Sequence, residues 1–233
     1  MQRVNALILD LETRPDPAMG VYENDPSLFA PPCYHMVTTA AWLALDSGKA
    51  VRAPGDVPVM PSAAFGYAQG ERHALREVAG LFAHRPRVIT WNGRGFDLPV
   101  ITVRSMKHMV AQPALLTSKP DYLYRYSDAA HCDIKDQIAH LGAGTSMSQH
   151  DVARMLGLPG KHVGHGSEVT TMTPEQEAAY CMDDVAQLAL IYCEWRRVQG
   201  QEVERMRDLI LSAINAEPML APLATWLAGR AAS

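Results

Sequence analysis

The chain has 233 residues, 21 Lys and Arg against 25 Asp and Glu, and a formal net charge of −4. At 48% hydrophobic and 20% charged it has ordinary globular composition, which excludes disordered and fibrous classes and fits one α/β domain with at most a modest appendage. A net-negative chain does not coat nucleic acid by bulk electrostatics, although an enzyme can still grip it locally, and carboxylates gathered round metal ions add negative charge of their own.

Residues 4–9 (Val-Asn-Ala-Leu-Ile-Leu) are a short apolar run that predicts a buried strand. The run stops at an acid and lacks a small-residue cleavage site, so no secretory signal is expected. Residues 36–45 and 49–53 predict two more strands, separated by the turn signal Asp46-Ser47-Gly48. Ala74, Val78, Leu81 and Phe82 recur at helical spacing and predict a helix over 69–84. Residues 87–91 read as a strand closed by Asn92-Gly93, with a helix from about 95 to 109. Residues 110–131, with Pro113, Pro120 and alternating tyrosines, read as a long loop. Helices are expected over 133–141 and 148–157, then a Gly/His-rich loop over 159–167.

The clearest helix start is Thr173-Pro174-Glu175-Gln176: Thr173 caps, Pro174 suits the first turn, and Gln176 completes a capping box. That helix should run to about Val198, and Gly200 should break it. A last helix over 201–215 carries Val203, Met206, Leu209, Ile210 and Ile214 at helical spacing, to pack on the domain or on a second copy. Strands first, then alternating helix and strand, predict an α/β fold with a mixed central sheet flanked by helices.

No apolar run reaches the roughly 18 residues of a membrane span, so no membrane partner is expected. Cys33, Cys132, Cys181 and Cys193 form no Cys-x-x-Cys pair, which predicts reduced thiols and a cytoplasmic location. His131, His140, His150, His162 and His165 match no familiar zinc spacing and read as scattered loop and surface histidines.

Three acidic features carry the chemistry. Asp10 and Glu12 end the first strand as Leu9-Asp10-Leu11-Glu12-Thr13, and alternate residues of a strand share a face. Two carboxylates on one face repel and resist burial unless cations offset them; a strand simply reaching solvent is the other reading. Asp97 follows the turn Asn92-Gly93-Arg94-Gly95-Phe96 at a strand end, where open α/β sheets bind ligands, or it merely caps a helix. Tyr180 and Asp184 lie four apart on one face of the late helix, with Asp183 turned away.

In this order, Asp-x-Glu, Asn-Gly-x-x-Phe-Asp and Tyr-x-x-x-Asp resemble the DEDD exonuclease superfamily, in the subtype with tyrosine in its third motif. More closely, the chain resembles the predicted 3′–5′ exonucleases related to the proofreading domain of B-family DNA polymerases. Arg125-Tyr126-Ser127, His131-Cys132-Asp133-Ile134, Leu156-Gly157-Leu158-Pro159-Gly160-Lys161 and Tyr180-Cys181-x-x-Asp184-Val185 extend the resemblance over roughly residues 4–195. The histidine subtype needs a histidine five before Asp184, where Ala179 stands. His131 and Asp136 have that spacing but would leave Tyr180 and Asp184 unexplained.

The resemblance implies a ribonuclease H-like domain over 1–199, with 200–233 as a helical extension. It implies two divalent ions, Mg²⁺ or Mn²⁺, held by Asp10, Glu12, Asp97 and Asp184, and hard ions do prefer carboxylate oxygen. Tyr180 would orient the attacking water, since a phenol of ordinary pKa near 10 is a poor base at neutral pH. Leu11, Thr13, Asn92, Phe96 and Lys161 would meet the substrate, Thr13 and Glu12 at the terminal 3′ hydroxyl. For Asn92 bracing the turn, and for Phe96 packing under the site, are equal alternatives. Tyr122, Tyr124, Arg125 and Tyr126, with Lys119 nearby, are either a stacking platform for a single strand or a loop pinned by its own aromatics. The partner implied is a DNA 3′ end, single-stranded or mispaired, with any proofreading beside a polymerase or repair partner acting in trans. An exoribonuclease and a non-catalytic accessory module are the alternatives.

Overall fold

The computed structural model of the protein describes residues 5–20, 22, 30–46, 61–117, 121–160 and 171–231. The strands are β1 (Ala6–Pro15), β2 (His35–Asp46), β3 (Ser62–Gln69), β4 (Arg87–Thr90) and β5 (His131–Asp133). The helices are α1 (Glu71–Ala83), α2 (Asp97–His108), α3 (Pro113–Leu116), α4 (Ile134–Ile138), α5 (Gln149–Met155), α6 (Pro174–Val198), α7 (Glu204–Ala216) and α8 (Ala221–Ala231).

Among the described residues the strands form one sheet in the order β3-β2-β1-β4-β5. β1 pairs antiparallel with β2, and β2 with β3; β1 and β4, and β4 and β5, are parallel. This mixed sheet covered by helices on both faces is the ribonuclease H-like architecture that the motif order implied.

Strand alternation sorts the core into two layers. Leu7, Leu9 and Leu11 of β1 pack with Val88 and with Leu75, Val78, Phe82 and Ile101 of α1 and α2. Ile8 faces the other way, among Leu43, Ile89 and the apolar residues of α6. Each such Leu or Ile contributes about 1.5–3 kcal/mol by leaving water. Helix α6 starts on the expected capping box, Thr173 with Gln176 and Pro174 in the first turn. Fifteen of its 25 residues are buried, because the sheet lies on one side and α5 and α7 cover others. A helix so enclosed must be apolar on most faces.

The structure departs from the sequence reading in several places. The strand expected at 49–53 lies outside the described residues. The described third strand is β3, whose Ser-Ala-Ala-Phe-Gly-Tyr-Ala-Gln is poor in strong strand formers. Gly66 is needed there, since a Cβ would lie 2.7 Å from the Trp42 indole of β2. The helix expected from 133 starts at Ile134, because Asp133 ends β5 and caps α4 with its carboxylate. The expected loop 110–131 contains α3, and a further helix, α8, follows α7. Pro218 and Pro222 look like breakers in sequence but occupy first turns, where no amide hydrogen bond is lost. Of the loop 159–167, only Pro159 and Gly160 are among the described residues.

Candidate active site

β1 pairs with β4 only as far as Ile8 opposite Ile89, and β4 ends at Thr90. The space left beside the carboxyl end of β1 is a cleft of about 820 Å³. Among the described residues it is lined by Asp10, Leu11 and Glu12 of β1, by Trp91, Asn92 and Lys135, and by Ser146–Asp151 and Asp184.

α6 is clipped to β1 in a fixed register. Arg14 donates to Glu177 Oε2 at 2.5 Å and to the Met172 carbonyl at 3.1 Å, and Thr39 Oγ1 donates to Glu177 Oε1 at 2.9 Å. Glu177, Cys181 and Asp184 recur at helical spacing, so the clip brings the next turns over the acids. Cys181 donates to Asp10 Oδ2 at 3.7 Å and to its carbonyl at 3.6 Å. One ligand atom each from Asp10, Glu12 and Cys181 lie within 4.8 Å of one another.

Asp97 is the first residue of α2, not its cap; the cap position is Phe96, which makes no side-chain cap bond. The Asp97 carboxyl is 3% exposed, and its Oδ1 has no hydrogen-bond partner among the described residues. Burial, and then the nearby charge of Asp10, push its pKa well above the ordinary carboxylate range. A buried carboxyl oxygen without a partner, facing a second acid, fits a hard divalent cation, which would satisfy the oxygen and offset the repulsion. The Cys181 thiol differs: burial and the charges of Asp10, Glu12 and Asp184 hold its pKa well up, so it serves as a hydrogen-bond donor to Asp10.

The turn before Asp97 is held from β5. Asp133 accepts from the Asn92 and Arg94 amides, both at 2.9 Å, and the Gly93 amide donates to Thr90 Oγ1 at 3.1 Å. Asn92 takes a left-handed φ of +64°. The Arg94 guanidinium lies under the turn and donates to the His131 carbonyl at 2.5 Å.

Of the remaining expected residues, Tyr180 is buried on α6 one turn before Asp184 and is not among the residues lining this cleft. Leu11 reaches the cleft, although its side chain belongs to the opposite core layer. Thr13 follows a register shift in β1 and shares a hydrogen bond with His35 Nδ1 at 3.1 Å. Phe96 packs edge-on against the His35 ring, centroids 4.9 Å apart. Asp183 accepts from Gln187 at 2.6 Å. Lys161, Lys119, His162 and His165 lie outside the described residues.

The tyrosine loop divides. Tyr122 is fully buried against Phe82 and donates to the Pro86 carbonyl at 2.8 Å, so it is a core pin and no stacking surface. Tyr124 and Tyr126 are exposed, and Arg125 is engaged with Asp136 at 2.9 Å. His131 is also fully buried, between Thr90 Oγ1 and the Tyr122 carbonyl, which removes the His131/Asp136 alternative from the cleft. Sequence reasoning missed Lys135 and the wall 146–151. The signal for Lys135 was its place two residues after the end of β5, beside another strand end.

The fold resembles the family B DNA polymerase from the hyperthermophilic archaeon Pyrobaculum calidifontis, at a TM-score of 0.51 and 16% identity. The match covers 95% of this chain and 27% of the polymerase chain, and at that identity it speaks for the fold alone. No curated protein matches the chain. A family model described as "Predicted 3'-5' exonuclease related to the exonuclease domain of PolB" matches residues 62–216, a stretch that includes Asp97, Tyr180 and Asp184, while Asp10 and Glu12 precede it. Asp10 and Glu12 line one cleft with Asp184, whereas Asp97 is buried and is not among its lining residues. With most of its length matched, the chain belongs to this family of predicted 3′–5′ exonucleases.

Proposed function

We propose that the protein is a two-metal 3′–5′ exonuclease that removes nucleoside 5′-monophosphates from the 3′ end of single-stranded DNA. The observation that carries the reading is a buried Asp97 oxygen without a partner beside Asp10, at a cleft that Asp10, Glu12 and Asp184 line. Carboxylates lining the cleft from β1 and α6, with Asp97 of α2 buried near enough to feel the charge of Asp10, are costly to fold unless cations offset them.

Asp10, Glu12, Asp97 and Asp184 hold Mg²⁺ or Mn²⁺ in this reading. When bound, such ions supply a hydroxide from water and neutralise charge on the leaving oxygen. Glu12 and Thr13 lie at the terminal 3′ hydroxyl, with Thr13 exchanging its His35 partner for the substrate. Tyr180 contributes its hydroxyl to orient water and takes up no proton in the step. The thiol of Cys181 fixes the Asp10 carboxylate. Residues 1–199 form the exonuclease domain, and α7, α8 and the turn between them complete its core through Ile210, Ile214, Leu220 and Leu223.

The test uses matched DNA and RNA single strands, labelled at either end, with Mg²⁺, Mn²⁺ or chelator. Shortening from the 3′ end with metal, faster on DNA, and its loss in Asp10→Ala and Asp184→Ala are expected. Binding without metal-stimulated shortening would overturn the enzymatic reading. Faster digestion of RNA would overturn the substrate.

A further inference from the structure

We infer that Lys135 is a substrate-binding residue that grips a non-scissile phosphate of the strand in the cleft. The inference rests on the exonuclease reading and extends it to a residue outside the three acidic motifs. Among the thirteen described residues that line the cleft, four are carboxylates and Lys135 is the lone Lys or Arg. A polyanion entering such a cleft meets repulsion wherever a metal ion does not neutralise it, and a cation on the wall offsets that.

Among the described residues, the neighbouring arginines are committed to protein partners. Arg14 holds Glu177 and the Met172 carbonyl. Arg94 donates to the carbonyls of Tyr124, Ser127 and His131, and Arg125 to Asp136 and the Leu141 carbonyl. Lys135 Nζ instead donates to the neutral amide oxygen of Asn92, at 3.2 Å. Among the described residues no carboxylate lies within ion-pair distance of it. An ammonium has three donors, so two stay available to an anion.

Its position is fixed rather than floppy. Asn92 is locked in a left-handed conformation by the Asp133 carboxylate, and Asp133 also ends β5 and caps the helix on which Lys135 sits. The ammonium is thus anchored at the adjacent ends of β4 and β5, where open α/β sheets bind ligands. A compact point charge reads phosphate without reading base or sugar, so the contact is independent of sequence.

The alternative is that Lys135 merely braces the Asn92 turn. Lys135→Gln separates the two, because the glutamine amide can still donate to Asn92 but carries no charge. Binding of a fluorescent oligothymidylate is measured in Ca²⁺, with gel analysis to verify that the strand stays intact, between about 50 and 200 mM salt. One phosphate contact on a single strand adds about 0.7 to the steepness of log affinity against log salt. Lys135→Ala and Lys135→Gln should both lose that increment, which is roughly eightfold in affinity at 50 mM salt and threefold at 200 mM. Lys135→Arg should restore it, and circular dichroism checks that each variant is folded. A Lys135→Gln variant with the wild-type salt slope overturns the assignment, and if the wild type still shortens strands the exonuclease reading survives. Wild-type protein that neither binds nor shortens the strand ends both.

Discussion

Asp97→Asn should make the metal-free protein more stable while weakening its response to metal. The Asp97 carboxyl is 3% exposed, has an oxygen without a partner and faces Asp10. The neutral amide keeps the polar oxygen but removes the charge, and a carboxyl held protonated by the fold costs up to about 1.4 kcal/mol for each pH unit above its ordinary pKa. For a chain of this size each kcal/mol moves the melting temperature by about 2–4 °C, so one pH unit above that value the amide should raise Tm in chelator by roughly 3–6 °C. The sign follows from linkage. A folded-state pKa raised above the unfolded value means that the native state keeps its proton longer, so stability is lost as pH rises above about 4. The gain from Asp97→Asn should therefore grow with pH above that point. Mn²⁺ at a hundred times its Kd should stabilise the wild type by about 2.7 kcal/mol, or roughly 5–11 °C, and the variant by clearly less. Differential scanning fluorimetry with chelator and with Mn²⁺, across a pH series, reads both effects. An Asp97→Asn protein that melts at or below the wild type in chelator, or that gains as much from Mn²⁺, would refute the account of this buried carboxyl.

His131 is buried neutral, with its pKa pushed down to about 3 chiefly by burial, from an ordinary 6.5. Its contribution is present above pH 6.5 and lost as pH falls towards 3, at about 1.4 kcal/mol per pH unit, so His131→Asn should flatten urea-measured stability across that window. Tyr122→Phe removes the hydrogen bond to the Pro86 carbonyl and should cost about 1–3 kcal/mol by urea titration, with strand shortening unchanged. At Gly93 a Cβ would fall within 2.6 Å of Thr90 Cβ, so Gly93→Ala should destabilise by about 1–3 kcal/mol and lower nuclease turnover by displacing the Asn92 turn. Gly80, inside α1 with open space round it, is the converse: Gly80→Ala should add about 0.5–1 kcal/mol and leave turnover alone.

Elements with local signals were legible in the sequence. The Thr173–Gln176 capping box marked the start of α6 at Pro174, and the apolar run before Asp10 marked β1. β3 was not, because its alanines and glycine carry little strand preference and its place is set by pairing with β2. β5 is three residues long and shares Asp133 with α4, so a helical pattern absorbed it. In the site, the shared face of Asp10 and Glu12 followed from strand geometry alone. That Asp97 would lie buried against Asp10 depends on where β4 ends relative to β1, which no local pattern encodes. Lys135 meets Asn92 across 43 residues of chain, a contact made by parallel pairing of two short strands. The three tyrosines alternate in sequence, yet turns between them send Tyr122 into the core and leave Tyr124 and Tyr126 outside.

β1 is the middle strand of the sheet, with β2 along one edge and β4 along the start of the other. A central strand is the last to exchange its amide protons, since releasing it breaks ladders on both sides. Asp10 and Glu12 follow directly on the doubly paired stretch and stay laddered to β2, so their footing is the most persistent part of the molecule rather than a mobile rim. Partial melting of the periphery leaves their arrangement standing, so hydrolytic competence should vanish in the same all-or-none transition as the fold, with deuterium uptake at residues 6–8 keeping time with both.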